Sequence, residues 1–332
     1  MIKVLVIGGE GYIGSKLMQY LEPSVFQVTS LDIGWFYNKD PSKVSHHSYV
    51  RGRPRDITYI EAWDVIVWLA GHSSVRMCEN NEHSAFENNY TEFSDFLKIY
   101  NRVPKHKKPL IIFTSSSSVF GNTIELCTED MIPKNSYSCI YDRTMRGREL
   151  CFLSGNFDRV IGLRLGTVCG FSPNQREELM LNSMVKAAIT EGKIYYSNPD
   201  TRRAILDLDE LCYSIKKIIG RYASTYYIFD IENNTLSGIY NIASYNSTVG
   251  ELVYQTYDTI RSLGLKVELE EVVSPPSPYS FHIDCSKLKK IVDRPAIHPT
   301  IEDTVKSIYR GYQNIKDYNY FGNRDEPIKF EY

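Results

Sequence analysis

The stretch Val4-Leu5-Val6-Ile7-Gly8-Gly9-Glu10-Gly11-Tyr12-Ile13-Gly14 decides the fold. Its first four residues form an unbroken apolar run, the pattern of a strand buried on both faces. The glycines contain G-x-G-x-x-G at Gly9, Gly11 and Gly14, and G-x-x-G-x-x-G at Gly8, Gly11 and Gly14. Ile13–Leu21 then reads as a helix that stops before Pro23. Strand, glycine turn and helix in that order let a backbone approach a pyrophosphate, which meets unpaired N–H groups and the positive end of the helix dipole. Val25–Leu31 is the next strand and leads into Asp32, 18 residues past Gly14. An acid there accepts hydrogen bonds from the adenosine ribose hydroxyls, and its charge repels a 2′-phosphate. The expected cofactor is NAD rather than NADP, held by Gly8, Gly11, Tyr12, Ile13, Gly14 and Asp32.

Outward from this turn, apolar strands alternate with helices. Asp64–Leu69, Leu110–Thr114 and Val160–Leu165 read as buried strands, and Ser84–Tyr100 and Ser138–Ser154 as helices. The alternation predicts an α/β fold, a Rossmann-type doubly wound parallel sheet covered on both faces. Asp56-Ile57 falls where a third strand would end, and Asp56 reads equally as an adenine contact and as a solvated loop carboxylate. Leu69-Ala70-Gly71 ends a strand with small residues, as a backbone passing close to the cofactor requires. His72 reads as a loop histidine beside the cofactor rather than as a base. Helices at Glu178–Glu191, Asp209–Tyr222, Thr248–Leu263 and Ile301–Tyr312, with short strands at Ile239–Ile242 and Val267–Val272, predict a smaller α+β lobe. The expected division is 1–170 for the nucleotide-binding domain, with a return segment near 205–245, and 171–332 mainly for the lobe. The tail 316–332 is given no element.

The 332 residues are 42% hydrophobic and 23% charged, which suffices for a core and argues against global disorder. Lys plus Arg is 38 and Asp plus Glu is 40, a net charge of −2 that argues against nonspecific binding to nucleic acid or to an anionic membrane. The seven cysteines include no C-x-x-C pair, so neither a disulfide framework nor a metal site is expected. Scattered thiols suit a reducing cytoplasm, and neither a signal peptide nor a membrane span is expected.

Further motifs complete a pattern: LAGHSSV at 69–75, Asn88-Asn89, SSSSVFG at 115–121, Tyr141 with Glu149, RLGTVCG at 164–170, Arg203 in RRAILDLDEL, and YNIAS at 240–244. From Met1 to about Ile315 the chain resembles the extended short-chain dehydrogenase/reductase family, in particular its NAD-dependent nucleotide-sugar epimerases and dehydratases. The resemblance implies that Ser116 hydrogen-bonds the sugar hydroxyl being oxidised and that Tyr141 takes its proton while hydride moves to the nicotinamide. Tyr137 competes for that role but lacks an acid at +8. The resemblance further implies cofactor contacts at Asp56, Ile57, Leu69, Ala70, Gly71, Asn89 and Tyr141. Substrate contacts fall at Ser116, Ser117, Ser118, Thr167, Asn182 and Arg203, the last two on the diphosphate. It also implies a homodimer pairing the Ser84–Tyr100 and Ser138–Ser154 helices, with Phe93, Phe96, Leu97, Leu150 and Leu153 as its apolar surface.

The departures are as informative. The family's lysine, four residues beyond the tyrosine, is Met145 here. Met145 neither lowers a phenol's pKa nor holds a ribose. Dehydratases of the family carry carboxylates where this chain has Ser117 and Ser118, and neutral hydroxyls are poor bases for a carbon-bound proton; a 4,6-dehydratase is disfavoured. A second phosphate-binding arginine is replaced by Tyr279. Two readings follow: an NAD-dependent nucleotide-sugar epimerase or oxidoreductase working through a 4-keto sugar, or a nucleotide-sugar-binding protein whose chemistry has lapsed.

Overall fold

The computed structural model describes residues 1–36, 47–131, 139–226, 236–292 and 299–314. Numbered in chain order, the first half runs β1 (Ile2–Ile7), α1 (Tyr12–Tyr20), β2 (Phe26–Asp32), β3 (Ser48–Arg51), β4 (Val65–Trp68), α2 (Val75–Asn80), α3 (Glu82–Phe86), a π-helical turn (Glu87–Thr91), α4 (Glu92–Arg102), β5 (Leu110–Ser116), β6 (Asn122–Cys127), α5 (Ile140–Leu153), β7 (Val160–Leu165) and β8 (Thr167–Cys169). The second half runs α6 (Met180–Thr190), β9 (Lys193–Tyr196), β10 (Arg202–Asp207), α7 (Leu208–Tyr226), β11 (Gly238–Ile242), β12 (Tyr245–Thr248), α8 (Val249–Ser262), β13 (Glu268–Glu271), β14 (Ser280–Ile283), α9 (Ser286–Lys289) and α10 (Ile301–Gln313).

Seven parallel strands form the main sheet in the order β11-β7-β5-β4-β1-β2-β3. The apolar runs become central strands because alternate side chains leave on opposite faces and both faces are covered. Val4, Val6, Val65, Val67 and Ile112 meet Leu17 and Met18 of α1 and Leu211, Ile215 and Ile218 of α7. Leu5, Ile7, Ile66, Trp68 and Phe113 meet Phe93, Phe96, Leu97 and Tyr100 of α4 and Phe152 of α5. The strand order reverses between β1 and β4, and that switch point opens a crevice at the strands' carboxyl ends. Over this edge sits the lobe, whose core joins Leu181 and Val185 of α6, Leu252 and Val253 of α8, and Val305 and Ile308 of α10. The parallel α/β sheet with flanking helices agrees with the sequence reading.

Four features differ from that reading. The helix expected at Ser84–Tyr100 starts at Glu82, as α3, and is interrupted by the π-helical turn before α4. The wider turn carries the neighbours Asn88 and Asn89 both into the interior, where they are 9% and 0% exposed. The third strand ends at Arg51, well before Asp56, which is exposed and accepts the Arg53 N–H at 2.7 Å to cap its own short turn. Phe93, Phe96 and Leu97 are buried against the sheet and present no dimer surface, whereas Leu150 and Leu153 are exposed, as are Tyr90 and Ile99. The short strands β6, β8, β10, β12 and β14 escaped the sequence reading because three to six residues carry too little periodicity. Tyr137 and the tail 316–332 lie outside the described residues.

Candidate active site

A cavity of about 540 Å³ follows the carboxyl edge from the glycine turn to Arg203 and Tyr279. At its nucleotide end, Gly8 has φ +84°, and a Cβ there would lie 2.6 Å from the Ala70 nitrogen. A Cβ on Gly14 would lie 2.4 Å from the Gly8 oxygen. These two glycines are required by the packing of the turn itself. Gly11 is different: a Cβ there meets only the Gly8 oxygen, at 3.3 Å, and it would project beside the cavity that Gly11 lines. Gly11 is the N-cap of α1, so the free N–H groups of that helix open beside it. A pyrophosphate at the helix end is what an added side chain would obstruct. Asp32 lines the same end, its Oδ2 accepting the Glu10 N–H at 3.0 Å and its Oδ1 the Gly34 N–H at 2.8 Å. Both N–H groups fix the carboxylate at the strand end. Turn, helix end and acid fit NAD.

The cavity floor is the turn 69–72. Leu69, Ala70 and Gly71 line it, Gly71 at φ +145°. Asn89 stands behind this turn, not in the cavity. Its Oδ1 accepts the His72 N–H at 2.6 Å, and its Nδ2 donates to the His72 carbonyl at 3.2 Å and to Thr144 Oγ1 at 3.0 Å. Asn88 lines the cavity instead. His72 is fully buried with its ring edge-on to Trp35, and burial lowers its pKa to about 4, which makes it a neutral wall residue near pH 7. Arg148, also fully buried, ties three pieces together: it donates to the carbonyls of Asn89 at 2.8 Å, Thr114 at 3.0 Å and Ala70 at 3.0 Å. Burial lowers its pKa to about 10, so it remains a cation at neutral pH.

Ser116, Ser117, Ser118, Tyr141 and Met145 all line the middle of the cavity. Cys139 caps α5, which sets Tyr141 in its first turn, in the cavity wall with Ser116. Burial in the cavity wall raises the Tyr141 pKa above the usual phenol value, against the lowering by Ser116. Met145, 5% exposed, offers no charge to reverse this. Glu149, fully buried, anchors α5: it takes the Arg164 guanidinium at 2.8 and 3.0 Å, Arg146 at 2.8 Å and the Ser115 hydroxyl at 2.7 Å. The helix carrying Tyr141 is thereby clamped to the ends of the strands carrying Ser116 and Arg164. Arg146 is spent on this anchor and leaves the phenol alone.

At the lobe end, Thr167 and Arg203 line the cavity. Arg203 donates to the Tyr279 carbonyl at 2.9 Å and to Ser277 Oγ at 2.8 Å. Its Nε is buried without an acceptor, and no carboxylate lies within 4.0 Å of it among the described residues. Burial without a counter-charge lowers its pKa. A half-satisfied, unneutralised guanidinium facing a cavity is suited to an anion. Asn182 lies beneath this wall, fully buried, accepting the Gly170 N–H at 3.0 Å and donating to the Arg176 carbonyl at 2.8 Å and Tyr12 Oη at 3.2 Å. It shapes the segment before α6 and does not line the cavity, nor do Asp56 and Ile57. Sequence reasoning missed Arg176 and Asp142. No local spacing marks them, since their partners come from distant strands and loops. Tyr279, noted only as a lost arginine, donates to Asp142 Oδ2 at 2.8 Å.

The sheet order, the glycine turn and Asp32 define a dinucleotide-binding α/β protein whose cavity continues to Arg203 and Tyr279. Residues 4–231 match the NAD dependent epimerase/dehydratase family, and the chain belongs to it. NAD is the cofactor of that family. Among solved structures, the UDP-glucuronic acid 4-epimerase from Bacillus cereus, in complex with UDP-glucuronic acid and NAD, is similar with a TM-score of 0.75 at 19% identity, covering 94% of this chain and 99% of that one. The UDP-glucose-4-epimerase from Stenotrophomonas maltophila is similar with a TM-score of 0.76 at 18% identity, covering 94% and 98%. An NDP-hexosamine 5,6-dehydratase involved in tunicamycin biosynthesis is similar with a TM-score of 0.76 at 16% identity, also covering 94% and 98%. At these identities the likeness is one of fold. Among the described residues, no helix is long and apolar enough to cross a membrane.

Proposed function

We propose that the protein is an NAD-dependent nucleotide-sugar epimerase or oxidoreductase acting through a 4-keto sugar. One observation carries this reading: Gly11, Asp32, Ser116, Tyr141 and the unneutralised Arg203 line a single continuous cavity. Arg203 takes the diphosphate of a nucleotide sugar, which lays the sugar toward Ser116 and Tyr141. Tyr141 handles the proton of the sugar hydroxyl, with Ser116 fixing the phenol. Bound NAD accepts the sugar's hydride and gives it back, or keeps it where the keto sugar is released. Asp32 holds the adenosine ribose and disfavours a 2′-phosphate. Thr167 completes the sugar's wall. Asn89 and Asn182 act from behind, by shaping the turn at 69–72 and the segment before α6.

Incubation of the NAD-loaded protein with UDP-glucose, UDP-glucuronic acid and dTDP-glucose tests the reading. The expected products are a C4 epimer or a 4-keto sugar, with none from NADP. A 4-keto-6-deoxy product by mass spectrometry would show that a carboxylate does reach the sugar and that the dehydratase reading is right. Tight binding of these sugars without any product would favour the lapsed-enzyme reading, for which Met145 in the cavity wall speaks.

We also propose a homodimer through α4 and α5. The residues available to it are Tyr90, Ile99, Leu150 and Leu153, all exposed. A monomeric mass by light scattering at micromolar concentration would remove this part of the proposal.

A further inference from the structure

Ser116, Ser117, Ser118 and Tyr279 line the cavity that also holds Tyr141 and Arg203. A hydroxyl can donate or accept, and which of the two these four do decides the sugar that fits against them. We propose that this wall selects a neutral sugar over a uronate: its hydroxyls offer only acceptor oxygens, because their hydrogens are drawn off by Asp142 and by a backbone carbonyl. This rests on the nucleotide-sugar reading above and narrows its substrate class.

Asp142 sets the direction of these bonds. It follows Tyr141 in the first turn of α5, where the helix dipole favours a negative charge. It is fully buried and stands behind the wall, outside the cavity lining. A carboxylate only accepts. Asp142 Oδ1 takes the Ser118 hydroxyl at 2.6 Å, and Oδ2 takes the Tyr279 hydroxyl at 2.8 Å. Each of these side chains has a single hydroxyl hydrogen, so neither has one left for a ligand. With its hydrogen on Asp142, Ser118 Oγ accepts from Ser116 at 2.8 Å, and the Ser116 hydrogen is spent as well. Ser117 donates to the Leu165 carbonyl at 2.8 Å. The Cys139 thiol, 3.3 Å from Tyr279 Oη, is left to donate to it. All four hydroxyls thus offer a ligand lone pairs and no hydrogen.

A sugar hydroxyl suits such a wall, because it has a hydrogen to give. The carboxylate of a uronate accepts only, so here it would meet oxygens backed by a second carboxylate and find no donor. The cations of the cavity lining are engaged elsewhere. Arg203 takes the diphosphate in the reading above. Arg148 donates to three backbone carbonyls. Arg176 pairs at 2.6 Å with Glu178, itself a carboxylate of the cavity lining. Arg76, on α2, is exposed to solvent. Thr167 adds one neutral hydroxyl, a small return for a full charge taken out of water. Asp142 touches no substrate in this arrangement; it is a positioning residue that acts by turning Ser118 and Tyr279.

Calorimetric titration of the full-length, NAD-loaded protein with UDP-glucose and with UDP-glucuronic acid tests the wall. The nucleotide is common to both, so any preference for the base cancels in the ratio of their dissociation constants. UDP-glucose should bind about 100-fold tighter, the order expected when a charged group is buried without donors. Two variants should move that ratio. Asp142→Asn puts an amide NH2 where one carboxylate oxygen stood. Whichever of Ser118 and Tyr279 meets it must accept, and its own hydrogen is released to the cavity. Ser118→Ala removes one acceptor and releases the Ser116 hydrogen. In each variant the preference for UDP-glucose should shrink about 10-fold. A purely structural role for Asp142 and Ser118 would weaken both sugars together and hold the ratio fixed. If Asp142→Asn does not fold, Ser118→Ala decides alone, since Ser118 is only half-buried. Equal or tighter binding of UDP-glucuronic acid to wild type, or an unmoved ratio in a folded variant, would overturn the inference and leave the nucleotide-sugar reading standing. Binding of neither sugar more tightly than UDP alone would remove that reading and the inference together.

Discussion

Tyr141→Phe is expected to lower turnover about 10³-fold at neutral pH while leaving NAD affinity unchanged. The phenol lines the cavity with Ser116 and can both take and return a proton. General acid–base catalysis contributes about 10²–10⁴-fold, and removing the hydroxyl forfeits it without altering the ring's packing. Stopped-flow absorbance of bound NADH measures the rate, and calorimetry measures NAD binding. Met145→Lys should act in the opposite direction: an ammonium beside the phenol stabilises phenolate and lowers its pKa, so the alkaline rise of the pH profile should move toward neutrality. A Tyr141→Phe variant as fast as wild type would remove Tyr141 from the chemistry.

Glu149→Ala is expected to cost about 3–5 kcal/mol of stability, the range for breaking a buried ion pair by removing one partner. Arg164 carries the reason. Its side chain is 3% exposed, and it gives Glu149 two of its hydrogen bonds while its guanidinium lies 5.1 Å from the centre of the Phe120 ring. Without the carboxylate the charge stays buried, and the Ser115 hydroxyl loses its acceptor as well. For a chain of this size the melting temperature should fall by roughly 6–10 °C, read by calorimetry. Glu149→Gln keeps the shape and one good acceptor, so its loss should be smaller. Because Glu149 clamps α5 to β5 and β7, turnover should fall too, through the placement of Tyr141 against Ser116. A melting temperature unchanged in Glu149→Ala would show that the cluster is energetically neutral.

The family resemblance drew attention to Glu149 by its spacing from Tyr141, but not to what it does. Its partners Ser115, Arg146 and Arg164 sit on three elements, and only β5 and β7 lying side by side bring them together. The same holds for Asp142. In the chain it is simply the residue after Tyr141, on a helix that also carries several other charges. Its pairing with Ser118 needs α5 to cross the end of β5, and its pairing with Tyr279 needs the segment before β14 to reach the same point. Asn89 and Asn182 illustrate the reverse: resemblance marked them as ligand contacts, and the fold turns both inward, onto backbone groups that would otherwise be buried unpaired.

What the sequence determined by itself was local. Unbroken apolar runs can only be strands covered on both faces, and glycines between a strand and a helix leave room for a pyrophosphate. An acid at the end of the second strand is placed by strand length alone. These are properties of neighbours along the chain, where periodicity and backbone sterics suffice. The tertiary structure decided what depends on meeting across distance. It set which apolar residues of α4 face the sheet, and that Arg203 has no carboxylate beside it among the described residues. It also turned the Ser116 hydroxyl to Ser118 and that of Ser118 to Asp142. Hydrogen bonds and ion pairs act over a few ångströms, and only the packed fold brings residues far apart in the chain to that range.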